Sequence, residues 1–356
     1  SMLNLSELLE RYSSLDRTTA LEALRAHAVG ELPDAEQAVN LVHALETAGD
    51  PETAWALCER LTTQQPAFAP GWARRSQLAL ARGQIEAALE WSETACQKNP
   101  DCSFSRLNRG IALRAAGFVT EAGLQLSRAL NIQPEHAATW SHYGLCLADQ
   151  AQHSMALNAL DNASRLAPDS PMHYSNRLMT GQYDPAANSQ DLLEDARRFS
   201  MGLAETKRTL SIEPADRIRV GYLSPDLYNH PVGRLFVPVL EAHDRDRFEI
   251  TVFSDIKRGD ELTSNVRKNA DHFVDSSTMS DADLKSLIAQ QPVDVMVDLA
   301  GHTAGNRLPL FAERLAPVQV SWLGYAASTG LKNMDAVVLG EHHCTPATRS
   351  YFVEPI

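Results

Sequence analysis

Between residues 35 and 170 apolar and small side chains recur at helical spacing, and the pattern itself returns every 34 residues. Ala54, Ala88, Ala122 and Ala156 hold one place in the period; Gly49, Gly83 and Gly117 hold another, which Ala151 takes in the fourth unit; Pro66, Pro100, Pro134 and Pro168 close the units. The period predicts stacked pairs of helices. Alanines let helix axes approach, the glycine frees the turn between them, and the proline stops the second helix. Ahead of the four units, LNLSELLERYSSL and LEALRAHAV predict a divergent helical cap over residues 1–34 that shields the first core face. A further helix in MHYSNRLMTGQYD extends the repeat domain to 184, and Leu192, Leu193, Ala196, Phe199 and Leu203 lie on one face of a helix. That stripe predicts a packed connector over 185–213.

From residue 214 the period changes. RIRVGYLS, FEITVFSD, PVQVSWLG and MDAVVLG read as short strands, and PVDVMVDLAG is an almost unbroken apolar strand of the kind buried on both faces of a parallel sheet. PVGRLFVPVLEAHD, a stretch within ELTSNVRKNADHF, DLKSLIAQQ and NRLPLFAERL read as the helices between them. Alternation of strand and helix over 214–356 predicts a Rossmann-like doubly wound lobe, with its site beyond the carboxyl ends of the strands. Three loops are selected: SPDLYNHPVGR, AGHTAGNR and GYAASTG.

Composition narrows the function. With 356 residues, 44% hydrophobic and 22% charged, the chain has material for two or three globular domains. A formal charge of -13 argues against nonspecific attraction to nucleic acid or anionic membrane. No apolar run is long enough to span a bilayer and the amino terminus lacks a signal pattern, so an intracellular, cytoplasmic protein is expected. Five cysteines without CxxC spacing fit reduced thiols. Ser1 ahead of Met2 reads as a cloning remnant.

The repeat units, with Trp72 and Trp140 opening two of them and Gly110 and Gly144 four residues after the opening position, resemble the tetratricopeptide repeat. VGYLSPDLYNHPVGRLFVPVLEAHD, DLAGHTAGNRLPLFAERLAPVQVSWLGY and STGLKNMDAVVL resemble the amino-terminal catalytic lobe of the O-linked N-acetylglucosaminyltransferase and SPINDLY family, and YSNRLMTGQYDP resembles the junction that follows its repeats. The resemblance implies an α superhelix followed by the first half of a GT-B glycosyltransferase. The implied activity is inverting transfer of N-acetylglucosamine, or fucose, from a nucleotide sugar, UDP-GlcNAc foremost, to Ser or Thr of intracellular proteins, with no metal and no other cofactor. The family's second lobe is expected to lie outside this chain, which stops at YFVEPI. Ala326 and Ala327 stand where the family usually has Pro-Gly, and Glu341 where an aspartate is common.

The resemblance assigns roles residue by residue. His230, in NHP, is placed before donor and acceptor, as an orienting group or as the proton acceptor; capping the following helix is the alternative. Asp226 anchors that loop or the imidazole, or is a turn aspartate. His302 and Thr303, with Gly301, meet acceptor or sugar, or else stabilise their loop; Leu323, Gly324 and Tyr325 form a wall of the cleft. Arg307 is expected in a structural ion pair. Asn40, Arg74, Asn108, His142 and Asn176 occupy the sixth position of successive units, where the family grips the backbone of an extended peptide; solvated surface is the alternative. His342, His343 and Cys344 lack a second cluster, and adjacent histidines on a strand would point to opposite faces, so no metal site is expected. The competing reading is a catalytically empty scaffold that binds peptides.

Overall fold

The computed structural model describes residues 4–203, 210–212 and 215–356. The described residues divide into two compact units at Leu166/Ala167. The first holds five helix pairs: α1 (Leu5–Arg11) and α2 (Arg17–Val29), α3 (Ala35–Ala48) and α4 (Pro51–Gln64), α5 (Ala69–Ala81) and α6 (Ile85–Lys98), α7 (Ser103–Ala115) and α8 (Val119–Ile132), α9 (Ala137–Asp149) and α10 (His153–Leu166). The 34-residue period is thus a period of helix pairs. Each repeated alanine is fully buried where helices cross, and each closing proline stands two residues beyond the end of a second helix. The residue six places after the proline reaches back to it: Trp72 Nε1 donates to the Pro66 carbonyl at 2.9 Å, Arg106 Nε to Pro100 at 2.9 Å and Trp140 Nε1 to Pro134 at 2.7 Å. Leu8, Leu24 and Ala28 of the first pair share a core with Leu41, Leu45 and Leu57 of the second.

Two kinds of close fit set the repeat geometry. Gly49, Gly83 and Gly117 turn the chain between paired helices in the left-handed region, at φ 92°, 71° and 86°, and Ala151 does the same at 57°. Gly110 and Gly144 let their own helix lie against its partner: a Cβ would stand 2.6 Å from Leu126 Cγ at Gly110 and 2.7 Å from Leu160 Cγ at Gly144.

The second unit contains α11 (Pro171–Gly181), α12 (Ser189–Met201), β1 (Ile218–Ser224), α13 (Pro231–Ala242), β2 (Phe248–Ser254), α14 (Glu261–Asn269), β3 (His272–Asp275), α15 (Asp281–Gln290), β4 (Val295–Asp298), α16 (Leu308–Ala312), β5 (Val318–Trp322), β6 (Ala336–Val338) and α17 (Pro346–Arg349). The six strands run parallel in the order β3-β2-β1-β4-β5-β6, with the reversal between β1 and β4. That is the doubly wound order in which ligands sit beyond the strand ends at the switch point. Strand β3 is an addition to the sequence reading, which placed a helix within ELTSNVRKNADHF and no strand after it; His272–Asp275 pairs in parallel with β2. One face of the sheet buries Tyr222, Ile250 and Val252 with Phe236 of α13 and Val266 of α14. The other buries Leu223, Phe253 and Met296 together with Leu178 of α11 and Ala196 and Phe199 of α12. The stripe expected of the connector is therefore core, with Leu193 buried as well and Leu192 and Leu203 packed at its margin. By compactness α11 and α12 belong with the lobe and not with the repeats. The expected connector and lobe boundary run into 204–209 and 213–214, and the expected cap begins at 1–3, all outside the described residues. None of the described helices is long and apolar enough to cross a membrane.

Left-handed backbone costs an alanine about 1 kcal/mol relative to glycine. Ala151→Gly should therefore raise the urea midpoint of the repeat unit. Gly144→Ala should lower it by the equivalent of about 1–3 kcal/mol, because overpacking against Leu160 outweighs the helix propensity gained. Equal midpoints for the two variants would contradict this geometry.

Candidate active site

Loops from β1, β4 and β5 meet at the carboxyl end of the sheet around an apolar contact, in which Leu227 and Leu299 are fully buried and Leu323 packs against their cluster. The β1 loop is held on both sides. Ser224 Oγ accepts the Asp226 N–H at 3.0 Å, Thr263 Oγ1 donates to the Leu227 carbonyl at 2.9 Å, and the Asn229 N–H donates to Asp260 at 2.7 Å. The loop then enters α13 at His230, which caps the helix: its Nδ1 accepts the Val232 N–H at 3.3 Å. Both the capping role and the placement at the strand end are thus present in one residue. An imidazole that accepts at Nδ1 carries its neutral-form proton on Nε2, so it offers a donor there. Asp226 is half-buried; burial raises its carboxyl above the ordinary value of 3.8, and the charge of nearby His230 pulls it back down.

Asp298, at the end of β4, organises the second loop, and the sequence reading passed over it. Its carboxylate accepts the N–H of Ala300 at 3.1 Å and of Gly301 at 2.8 Å, and the hydroxyl of Ser321 on β5 at 3.1 Å. An acid closing an apolar strand was the available signal. Gly301, at φ 59°, turns the chain inward so closely that a Cβ would lie 2.2 Å from Tyr325 Cβ. His302 follows it into the core. It is only 2% exposed, its Nε2 donates to the Thr329 carbonyl at 2.9 Å, and its Nδ1 accepts from Ser175 Oγ at 2.9 Å. Phe199 and Tyr325 meet the ring edge-on at 4.6 and 5.2 Å. The expectation that His302 meets acceptor or sugar is corrected: with both nitrogens engaged and no surface, it stabilises the loop. Thr303 is half-buried, with its hydroxyl on the Ala300 carbonyl at 2.9 Å. Arg307 is the expected structural residue, spanning Asp255 and Asp281.

In the third loop Leu323 has φ 82°, and Gly324 approaches so near that a Cβ would stand 2.1 Å from the Leu299 carbonyl oxygen. Both can line a cleft. Tyr325 cannot present its ring there: it is 5% exposed, and its hydroxyl accepts from Gln182 at 3.3 Å. Glu354, also absent from the sequence reading, lies buried beneath this loop. It accepts the Ser328 hydroxyl at 2.7 Å, the Thr329 N–H at 2.7 Å and the Thr329 hydroxyl. His342 and His343 occupy an exposed turn after β6, not a strand. Among the described residues no three metal-binding side chains converge.

The five rungs of the expected peptide ladder divide between the units. Asn176 lies on α11 in the second. In the first, Asn40 is exposed and Arg74 and His142 are half-buried. Asn108 is turned away from the groove: it is 1% exposed and its amide donates to the Phe104 carbonyl one turn back in its own helix, at 2.8 Å. Two rungs, Arg74 and His142, share one recess with His43 and Glu46 of α3, Gln77 of α5 and Ile111 of α7, all on the first helix of a pair.

Helix-pair repeats followed by a parallel-sheet lobe with its loops at the switch point fit a repeat-bearing glycosyltransferase. The model of glycosyl transferase family 41 matches residues 203–354 of this chain. The probable UDP-N-acetylglucosamine–peptide N-acetylglucosaminyltransferase SPINDLY of Petunia hybrida is 30% identical over 201 residues, 54% of this chain and 22% of the relative. The UDP-N-acetylglucosamine–peptide N-acetylglucosaminyltransferase of Caenorhabditis elegans is 34% identical over 130 residues, 36% of this chain and 11% of the relative. A solved mutant of the Thermobaculum terrenum O-GlcNAc transferase superposes with a TM-score of 0.75 at 29% identity, covering 82% of this chain and 57% of that one. The chain thus spans about a fifth or less of the length of these curated relatives.

The two buried titrating groups of the β4 loop oppose each other. Burial pushes His302 down from 6.5 to about 4, so the stability it contributes is complete above pH 6.5 and lost as the pH falls towards 4. Burial pushes Asp298 up from 3.8 to about 6, so its contribution is complete below pH 3.8 and lost as the pH rises through 6. Between pH 4 and 6 the slopes cancel in part. Asp298→Asn leaves only the His302 slope, so its stability should fall more steeply than the wild type's on acidification from pH 6 to 4, by about 1 kcal/mol per pH unit. Parallel stability curves for the two proteins would show that these groups do not titrate in this way.

Proposed function

We propose that the protein is an inverting O-glycosyltransferase that moves a sugar, N-acetylglucosamine foremost, from a nucleoside diphosphate to Ser or Thr hydroxyls of proteins held along its repeats. The observation that carries this reading is His230 at the carboxyl end of β1, beside the strand-order reversal, in the region that matches family 41. In the displacement the acceptor oxygen bonds to the anomeric carbon from the face opposite the nucleotide, the bond from that carbon to the phosphate oxygen breaks so that the nucleoside diphosphate leaves, and the hydroxyl proton passes to the departing phosphate or to solvent. His230 suits the orienting role better than the base role. Its cap occupies Nδ1, so the outward nitrogen of the neutral ring is Nε2–H, a donor to an oxygen of sugar or phosphate. Accepting the hydroxyl proton at Nε2 would require the other tautomer and would break the cap. Asp226 is the acidic neighbour whose carboxyl interacts electrostatically with the imidazole.

The cap supplies a clean test in the natural gene product. Asparagine is among the best helix caps, so His230→Asn should keep the wild-type melting temperature, whereas His230→Ala should lose about 1 kcal/mol. Both should lose transfer from UDP-GlcNAc to a protein acceptor by about a hundredfold or more, because orientation of the reacting atoms is lost in each. Near-normal turnover in His230→Asn would leave the residue as a cap and nothing more, and transfer absent in the wild type as well would favour an empty scaffold.

A further inference from the structure

The recess on the first helices of the repeats contains a cation whose bonding is incomplete. Arg74 replaces the amide of the neighbouring units, and its side chain is 13% exposed. One guanidinium nitrogen donates to Gln77, the group lies 5.2 Å above the Phe104 ring, and Nε is buried with no partner. Its nearest carboxylate, Glu46, stands 3.9 Å away, beyond hydrogen-bond distance. Both partners have given up water without gaining a close pair: burial lowers Arg74 from its ordinary value and raises Glu46. A desolvated guanidinium with only one neutral hydrogen-bond acceptor is costly until an anion completes its bonding.

Arginine also differs from asparagine in kind. An amide both donates and accepts and so holds peptide backbone in either sense; a guanidinium only donates. Asn108, the next rung, has turned its amide into its own helix. The Arg74 rung therefore presents donors alone.

We propose that Arg74 makes this groove select protein acceptors that carry an acidic side chain, Asp or Glu, on the segment lying across α3, α5 and α7. The proposal rests on the reading that an extended acceptor occupies the groove. The incoming carboxylate approaches within hydrogen-bond distance of the guanidinium and displaces Glu46, which is the competitor for the same cation. Leu80 and Ile111, which line the same recess, give the stem of that side chain apolar cover.

Fluorescence anisotropy with the full chain tests it, using a labelled Ala/Thr/Ser peptide of about ten residues with one central Asp and the same peptide with Asn or Lys there. The Asp peptide should bind about tenfold more tightly than the Asn peptide, and the Lys peptide most weakly. Arg74→Asn restores the amide found in neighbouring units and should equalise the Asp and Asn peptides while retaining the affinity for the Asn form. Glu46→Gln should strengthen the Asp peptide alone, which a merely structural ion pair would not produce. Equal binding of the Asp and Asn peptides by the wild type, or a preference that survives Arg74→Asn, overturns the selection while leaving the groove. Failure of every peptide to bind overturns the groove reading and the selection with it.

Discussion

The second unit depends on a neutral imidazole sealed in its core. His302 bonds at one nitrogen to Ser175 of α11 and at the other to the backbone of the loop after β5, while its own backbone belongs to the loop after β4. Three segments remote in sequence are thus fixed to one planar ring. Nε2 already carries the proton it donates to Thr329, so only Nδ1 can gain one, which would cost the hydrogen bond accepted from Ser175 and bury a charge; the junction therefore favours an uncharged ring. Glu354 extends the same connection by holding Ser328 and Thr329 from beneath. The cleft loops owe their positions to this buried polar network, in which every partner found is satisfied.

The repeats are organised by a different economy. Each unit meets its neighbours through a small fixed set of contacts: a buried alanine, a glycine or alanine turn, and a side chain reaching back to the preceding proline. Local contacts of this sort leave the inner face free to vary, since Arg74 can stand where an asparagine stands in adjacent units without disturbing the stack. The scaffold and the groove are written in separate positions of the same period.

That separation explains what could be read from the chain. The period, the parallel sheet and the three loops follow from spacing, because helix crossings and buried strands impose residue size at fixed intervals. Strand β3 was missed because HFVD is short and follows a helix without a break in pattern. His302 was read as meeting acceptor or sugar, or else stabilising its loop, because glycines flank it, yet Gly301 serves to carry the chain inward against Tyr325. Its partners Ser175 and Thr329 lie 127 and 27 residues away, distances over which a single sequence leaves no periodic trace. Asn108 illustrates the same limit at the level of one torsion: its position on the helix was legible, but the turn of its amide towards Phe104 was not.

Leu323 shows what such precision entails. A branched residue held at φ 82° sits in backbone territory that glycine enters freely, at a cost of about 1–3 kcal/mol. The same side chain is the third member of the apolar contact that joins the loops from β1, β4 and β5. Glycine at this place would relax the torsion and dissolve the contact, exchanging one defined loop shape for several. The strained leucine therefore narrows the ensemble of the unliganded cleft, and the entropy of ordering it has been met in folding and not at the moment of encounter.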